Sequence, residues 1–511
     1  MSFLYNNFAP IVIALVVSLV AWLFGGTRGE LLVPVVPWLF VLMLEVIFCF
    51  PQRHKNETIY EARARVWQDL KQSPIAWLSV GLMVLLLIPF VNNGLCTSCD
   101  AELIAQGKSP APFLRVFPFC VNRLDHLDVV LWMAIALSAL LAVRYCLTRQ
   151  GRRLVIELIV WNGVALAIFG FVQSAMGAPG PFWNKLPPGS VTYDFFSSFG
   201  YANMAGDYFT TLFGLSIALW RDCYEHHYKE LSKMDLSELS SSDARKNGQF
   251  WRRHYFLIPA IIFFFAALYT LSRAAFLLVT ISATVYFIHT LVISLSRMSR
   301  RYRVSVGVKC IGAFLLVLFF ANLFMPDEMR REVNSLGATE MLDRVSGRNQ
   351  RHVKIATKIW NDHLLFGCGG WGYKHFAVPK MNELGLKPSN WELIGGINVH
   401  NDYVQVLAEH GIVGLSALIL IAVLLVLPIF RQWRALVKSY RFKNPRESPP
   451  KPIQIFALPA AAFFILVTAV STLIHAFCDC PFRSCAVLTL FYVSLASLSG
   501  FMPKHETSHH H

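Results

Sequence analysis

The stretch GIVGLSALILIAVLLVLPIF, Gly411 to Phe430, contains twenty residues and no charged side chain. A membrane-spanning helix needs roughly 20 predominantly apolar residues, so this stretch predicts one. The whole chain has a similar character, because 55% of its residues are hydrophobic, only 15% are charged and its mean hydropathy is +0.48. The composition therefore predicts an all-α integral membrane protein.

Twelve segments of this kind are candidates for membrane-spanning helices. They lie at residues 9–25, 31–50, 75–92, 128–146, 154–174, 201–220, 255–271, 275–295, 305–325, 412–430, 453–473 and 485–501. The first segment has no cationic region before it and no clear cleavage site after it, so we predict a retained helix and not a signal peptide. The chain then divides into helices 1–9 at 1–325, a large loop at 326–411, helices 10–12 at 412–501 and a tail at 502–511.

Lysine and arginine residues in the short loops predict the orientation, since loops of this kind stay cytoplasmic. With an even number of spans and an inner N-terminus, the inner loops carry Arg53, Lys55, Arg63, Arg65 and Lys71; Arg144, Arg149, Arg152 and Arg153; Arg297, Arg300, Arg301 and Arg303; and Arg431, Arg434, Lys438, Arg441 and Lys443. The large loop is then on the outer face. The net charge of +15 is attributed to this topology and to anionic membrane lipids, and no nucleic-acid-binding module is recognised.

Cysteines are concentrated on the predicted outer face. Seven of the eleven lie on or beside it, namely Cys96, Cys99, Cys120, Cys368, Cys478, Cys480 and Cys485. This distribution favours an oxidising compartment such as a bacterial periplasm, and disulfides across the outer loops are the expected outcome, with their connectivity open. A metal site that combines Cys96 and Cys99 with Cys478 and Cys480 is the alternative, although this is not a standard zinc spacing.

The large loop breaks the pattern of short connections, and loops of such length are usually functional. It contains glycines at 367, 369, 370 and 372. A phosphate-binding loop would need a Walker lysine and a strand before the helix, and this segment has neither. We therefore predict a tight turn here.

The end of the loop, GGINVHNDYVQVLAEHGIVG at Gly395 to Gly414, holds a candidate catalytic residue. Asn401 is expected to cap a short helix that Gly411 ends. His400 then lies just outside a helix N-terminus, whose unpaired N–H groups disfavour imidazolium and attract anions. A neutral imidazole is a usable general base. The alternative is that His400 only hydrogen-bonds the loop.

Arginines near the outer face are candidate anion ligands. Ser272 and Arg273 lie between two predicted spans with almost no loop, where a charge is costly without a partner. Arg273 either snorkels to the lipid headgroups or joins Arg344 and Arg348 in binding an anionic group such as a lipid diphosphate. Arg344 and Arg348 are four residues apart and share one face if this part of the chain is helical.

Two acidic residues near the outer face have open roles. Asp207, near the outer end of a predicted span, is either a buried acid with a partner or a proton-relay or substrate group. Glu409 is expected to cap or solvate the end of the short helix.

Several of these segments resemble one family. They are His400-Asn401 followed by Gly411-x-x-Gly414, Ser272-Arg273 at the end of a span, Ser346-Gly347-Arg348 ahead of Trp360 and the Asp362-His363…Phe366-Gly367 turn, and more weakly SSFGYANMAG at Ser197 to Gly206. Together they resemble the O-antigen ligase superfamily of bacterial inner-membrane glycosyltransferases. That superfamily includes O-antigen polymerases and protein O-oligosaccharyltransferases. The resemblance covers about Ser197 to Gly414.

The resemblance implies a GT-C-type fold of about twelve transmembrane helices with a large periplasmic loop between helices 9 and 10. It implies transfer of a glycan from undecaprenyl diphosphate to an acceptor hydroxyl, such as one on the lipid A core, at the periplasmic face. His400 would activate that hydroxyl, and Arg273 and Arg348 would hold the diphosphate, with Arg344 joining them on the argument from helix spacing given above. The supporting residues would be Asn401, Ser272, Gly411 and Gly414. No metal or other cofactor is expected, since the family is regarded as independent of metal and ATP.

Three functions remain open at this point. The twelve spans and the His-Asn-Gly spacing favour a ligase over an O-antigen or exopolysaccharide polymerase of the same superfamily. A transporter or flippase for an anionic lipid would use the same arginines, but it should show internal repeats or helices broken near mid-membrane. Neither is evident, so the sequence favours an enzyme.

Overall fold

The computed structural model describes residues 2–27, 29–92, 114, 117–184, 195–231, 254–296, 300–323, 327, 330–331, 338–389, 398–441 and 458–502. Within these residues the regular structure is helical, apart from one isolated bridge between Phe196 and Phe199. A helix coincides with each of the twelve predicted spans. The predicted all-α architecture is therefore confirmed for the described chain.

Fifteen α-helices are numbered here in chain order. They are α1 Ser2–Trp22, α2 Gly29–Phe48, α3 Ile59–Gln72, α4 Pro74–Asn92, α5 Arg123–Leu141, α6 Arg149–Ala175, α7 Ala202–Leu231, α8 Leu257–Tyr269, α9 Arg273–Ser296, α10 Arg300–Leu323, α11 Ala338–Asp362, α12 Gly372–Glu383, α13 Asp402–Arg441, α14 Ala460–Cys478 and α15 Cys485–Ser497.

Six helical segments in the described chain are long and apolar enough to cross a membrane, judged by length and composition. They are Pro74–Asn92, Arg123–Cys146, Arg149–Ala175, Arg273–Leu295, Asp402–Lys438 and Ala460–Cys478. Shorter apolar helices occur at Asn6–Trp22, Val33–Phe48, Leu257–Tyr269, Gly307–Leu316 and Cys485–Gly500. These helices fit a multi-pass membrane protein, whereas the number of twelve crossings stays a prediction.

The helix that coincides with the eleventh predicted span, approximately 453–473, lies several residues later in the chain. Residues 453–457 lie outside the described chain, and the helix α14 begins after Pro459 and continues to Cys478. Proline has no N–H to donate and a fixed φ, so it is well suited to the start of a helix and poorly suited to its interior. The later helix end brings Asp479 directly to the C-terminus of α14.

The helix ends meet in two groups. In one group, the Ser198 hydroxyl donates to the Ala21 carbonyl at 2.7 Å and the Ser484 hydroxyl donates to the Gly25 carbonyl. In the other group, the Thr148 N–H donates to Gln52 Oε1 at 2.9 Å. The first group joins segments predicted to be outer and the second joins segments predicted to be inner. The predicted alternation of helix direction is therefore compatible with these contacts.

The described part of the predicted large loop is largely helical. It contains α11 and α12, and these pack with the start of α13 around a hydrophobic core separate from that of the main bundle. The members of this core are Phe119, Val121, Ile355, Ala356, Ile359, Cys368, Tyr373, Phe376, Ala377, Met381, Val399 and Ala408. A second core of this kind gives the segment before α13 a fixed support.

Candidate active site

The chain around Gly411 forms a short helix, a break and a long helix. Gly411 has φ 62° and ψ −170°, which interrupts α13 after residue 410. A Cβ at this position would lie 2.2 Å from the Leu365 carbonyl oxygen, so both the positive φ and the close packing favour glycine. At the other end of the short helix, Asn401 Oδ1 accepts from the Val404 N–H at 3.2 Å. The predicted cap and the predicted helix end are both confirmed.

The break at Gly411 is paired with the glycine-rich turn. The Cys368 N–H donates to the Ala408 carbonyl at 3.0 Å, and the Ile412 N–H donates to the Leu364 carbonyl at 3.0 Å. These bonds satisfy backbone groups that a helix break leaves without an intrahelical partner. Gly367 and Gly369 have φ of 68° and 85°. The segment is thus the tight turn that the sequence predicted, and it supports the helix break.

His400 is held by a carboxylate that the sequence analysis did not identify. Its Nδ1 lies 3.1 Å from Oδ1 of Asp479, the residue that follows α14. Within the described chain, His400 Nε2 has no hydrogen-bond partner, and the side chain is 16% exposed. A neutral imidazole that donates from Nδ1 to Asp479 keeps its lone pair on Nε2.

Asp479 is surrounded by donors. The Tyr201 hydroxyl donates to Asp479 Oδ2 at 3.1 Å, and Asn203 Nδ2 donates to the same carboxylate. Burial alone would raise the pKa of the Asp479 carboxyl. The hydrogen bond from His400, and the charges that His400 and His475 carry when they are protonated, lower this pKa to about 2. Asp479 is therefore ionised and able to hold the Nδ1–H of His400.

This arrangement changes the electrostatic setting inferred for His400. The sequence argument considered only the helix N-terminus, which disfavours imidazolium. Asp479 acts in the opposite sense, because a carboxylate beside the ring stabilises the positive charge that forms when Nε2 accepts a proton. The histidine is thus oriented and electrostatically supported by the same group.

Buried polar contacts fix the short helix against the segment after Asp479. Arg483 forms an ion pair with Glu409 at 2.6 Å, and both side chains are buried. The Phe482 N–H donates to Asp402 Oδ2 at 2.8 Å. The expectation that Glu409 caps or solvates the helix end is therefore wrong, because the carboxylate needs a charged partner in this interior position. These contacts fix the helix that follows His400 against the segment that follows Asp479.

The start of α7 brings a further motif to the same place. Tyr201 and Asn203 belong to SSFGYANMAG, the segment that contributed most weakly to the family resemblance. One turn further, a Cβ on Gly206 would lie 3.0 Å from Ser272 Cβ. Ser272 Oγ accepts the Ala275 N–H at 3.2 Å and so caps α9, whose first residue is Arg273. Three separate parts of the chain thus meet near His400 and Asp479.

The other predicted arginines lie on α11. This helix is continuous from Ala338 to Asp362, so the helical condition for Arg344 and Arg348 to share one face is met. The side chains of both residues lie outside the described part of the structure. The diphosphate-binding roles of Arg344, Arg348 and Arg273 stay predictions.

No disulfide is formed by four of the predicted outer-face cysteines in the described chain. Cys368, Cys478, Cys480 and Cys485 carry free thiols, and Cys96 and Cys99 lie outside the described residues. Three of the four thiols are buried, where a cysteine packs as a small apolar side chain. The predicted disulfides are therefore wrong for these four cysteines, and for Cys96 and Cys99 they stay a prediction.

Asp207 is a buried acid with partners. Its Oδ1 lies 3.0 Å from His475 Nδ1, and its Oδ2 accepts from the Thr472 hydroxyl at 3.2 Å. Both partners belong to α14, so this pair joins α7 to α14. The first of the two roles considered for Asp207 is the one that fits these contacts.

Asp479 and Tyr201 are the main residues that the sequence analysis missed. In the CDC sequence at Cys478–Cys480, the two cysteines are the more conspicuous candidate ligands. A span that ends at residue 473 also places Asp479 in a loop, away from the helix end. An acid at the outer end of a span was the available signal, and the same signal drew attention to Asp207.

Fold and site together define a multi-pass helical membrane protein with a histidine–aspartate pair where several helix ends meet. Residues 258–419 match the family described as O-Antigen ligase. This match supports the O-antigen ligase superfamily for the chain and confirms the resemblance based on the motifs. No curated protein matches the chain. The matched residues include His400 and Arg273, whereas Asp479 and Tyr201 lie outside them.

Proposed function

We propose that this protein is an O-antigen ligase. It transfers a glycan from undecaprenyl diphosphate to a hydroxyl of the lipid A-core oligosaccharide at the periplasmic face of the bacterial inner membrane, in a GT-C-type fold. The family match supports lipid-linked glycan substrates. The observation that carries the proposal is the His400–Asp479 pair, because it offers an oriented base to an acceptor hydroxyl.

In this mechanism, His400 Nε2 accepts the proton of the acceptor hydroxyl while its oxygen bonds to the anomeric carbon of the donor. The bond from that carbon to the diphosphate oxygen breaks, and the electron pair leaves with the diphosphate. Asp479 holds Nδ1–H and stabilises the imidazolium that forms, while remaining ionised itself. Tyr201 and Asn203 fix the position of Asp479.

The leaving diphosphate needs charge neutralisation more than a proton, because it is already a good leaving group. Arg273, Arg348 and Arg344 supply positive charge in this proposal, and a guanidinium matches pairs of phosphate oxygens through its planar fork. The start of α9 supports this role for Arg273, since it packs against Gly206, one turn further along α7 than Asn203, which contacts Asp479. Neither nucleotide nor metal takes part.

The role of Arg273 is tested with purified protein, undecaprenyl diphosphate-linked glycan and lipid A-core acceptor. Arg273→Ala should abolish transfer while the protein stays folded, and Arg273→Lys should restore only part of it, because lysine keeps the charge but loses the bidentate fork. Arg348→Ala and Arg348→Lys should behave in the same way as the corresponding Arg273 variants. Full transfer in both alanine variants would remove the diphosphate assignment.

The acceptor is tested in a deletion strain. Carrier-linked polymer that accumulates while the lipid A core carries none identifies a ligase. Lipopolysaccharide with a single repeat identifies a polymerase and contradicts the proposal.

A further inference from the structure

We infer that His400, Asp479 and Cys480 form a binding site for a thiophilic divalent cation of the zinc type, and that this cation inhibits the protein. A ring nitrogen of His400, a carboxylate oxygen of Asp479 and Cys480 Sγ all lie within 4.8 Å of one another. The binding site stands on this geometry alone. Its inhibitory effect rests on the proposed function of His400.

The distances suit a tetrahedral cation. Asp479 Oδ1 lies 3.1 Å from His400 Nδ1 and 3.3 Å from Cys480 Sγ. Zinc bonds of about 2.0 to 2.3 Å at tetrahedral angles place neighbouring ligand atoms about 3.3 to 3.7 Å apart. Two of the three separations are therefore close to this spacing, and the third, from the ring nitrogen to Sγ, is at most 4.8 Å and shortens as the cation binds.

The chemistry of the three ligands is also suitable. Imidazole nitrogen, carboxylate oxygen and thiolate sulfur are the ligand types that zinc accepts, and three protein ligands leave a fourth position for water. Asp479 is already fixed by Tyr201 and Asn203, which is the kind of outer-shell support that orients metal ligands. Cys480 is buried, so its thiol is held beside the carboxylate.

Occupation of this site would remove the proposed base. When the cation binds Nδ1, a neutral imidazole carries its single proton on Nε2, and the lone pair that accepts the proton of the hydroxyl is lost. The Cys480 thiol releases its proton to solvent as the sulfur binds. The cation also takes the Asp479 oxygen that supports the imidazolium. Transfer then stops, although the reaction itself requires no metal.

Cobalt binding tests the site without reference to activity. Addition of Co²⁺ to the purified full-length protein should produce the absorption band of a thiolate bound to cobalt, which histidines at the C-terminus cannot produce. Cys480→Ala and Cys480→Ser should abolish the band. Cys478→Ala should retain it, because Cys478 is outside the cluster. His400→Ala should weaken cobalt binding at least about tenfold, the lower end of the loss seen for outer-shell partners.

Zinc inhibition tests the consequence. Zn²⁺ should stop transfer by the wild type, EDTA should restore it, and Cys480→Ala should transfer normally and resist Zn²⁺. A cobalt–thiolate band that is absent from the wild type, or that survives Cys480→Ala, overturns the site. Equal inhibition of wild type and Cys480→Ala overturns the inhibitory role. If no form transfers glycan but the band behaves as expected, the proposed function fails and the metal site stands.

Discussion

Two histidine–aspartate pairs involve residues one helical turn apart at the end of α14, and their surroundings differ. His475 lies 3.0 Å from Asp207, and the two side chains are 0% and 1% exposed. Asp479, four residues after His475, lies 3.1 Å from His400, and these side chains are 11% and 16% exposed. The same two residue types therefore form one sealed pair and one partly open pair.

The difference in exposure indicates which of the two histidines an acceptor hydroxyl can reach. His475 Nε2 is buried and has no hydrogen-bond partner in the described structure, so no acceptor hydroxyl reaches it without rearrangement. The His475–Asp207 pair joins α14 to α7 through a buried hydrogen bond. The His400–Asp479 pair uses the same carboxylate contact to orient a ring that is accessible. Access to Nε2, and not the pairing itself, separates a candidate base from a structural contact.

Removal of the open histidine should have the largest effect on turnover. His400→Ala should lower transfer roughly 10²- to 10⁴-fold, the usual contribution of a general base, while the melting temperature and donor binding stay close to wild type. The measurement is turnover of purified protein at saturating donor, with thermal unfolding recorded in parallel. Near-normal turnover would return His400 to a role in bracing the loop.

Removal of the sealed histidine should act on stability. His475→Ala leaves Asp207 buried without this hydrogen-bond partner, which should lower the free energy of unfolding by about 1 to 3 kcal/mol. Chemical unfolding in detergent measures this loss, with His400→Ala as the matched control. Unchanged stability in His475→Ala would show that the sealed pair does not hold the helices together.

The feature that the two pairs share is a carboxylate beside the histidine ring, and Asp479→Asn tests its role in the open pair. His400 remains but loses the charge that supports its imidazolium, so transfer should fall by about 10²-fold, the lower end of the general-base range.

The effect of Asp479 on the stability of the folded protein depends on pH. Because folding lowers the pKa of Asp479 from 3.8 to about 2, its charge stabilises the folded protein above about pH 4, and this contribution is lost as pH falls towards 2.

Acid unfolding of the wild type and Asp479→Asn measures that second effect. The stability difference between them should be constant above about pH 4 and should shrink as pH falls towards 2. A difference that grows on acidification would mean that Asp479 is not the ionised partner.

Local features of this protein could be predicted from the sequence. Each of the twelve apolar runs coincides with a helix, because a run of this kind reflects only its own segment. Asn401 and Gly411 were identified correctly as cap and break for the same reason, since capping and positive φ depend on a few neighbouring residues. The start of α14 at Ala460 does not follow from the apolar run, because that run begins before Pro459.

The long-range part of the site could not be predicted. His400 and Asp479 are 79 residues apart, and their contact depends on which helix ends meet. Tyr201 reaches the same carboxylate across 278 residues. No local pattern specifies such contacts. The family match also ends before Asp479, so it covers the histidine but not its partner.

The central claim is that His400, and not His475, accepts the proton of the acceptor hydroxyl. Chemical rescue with free imidazole tests it most directly, because a small base can occupy the space that a truncated side chain leaves. Transfer by His400→Ala should rise with imidazole concentration, whereas transfer by the wild type and by His475→Ala should not. Wild-type transfer by His400→Ala without imidazole, or equal rescue of His475→Ala, would contradict the claim.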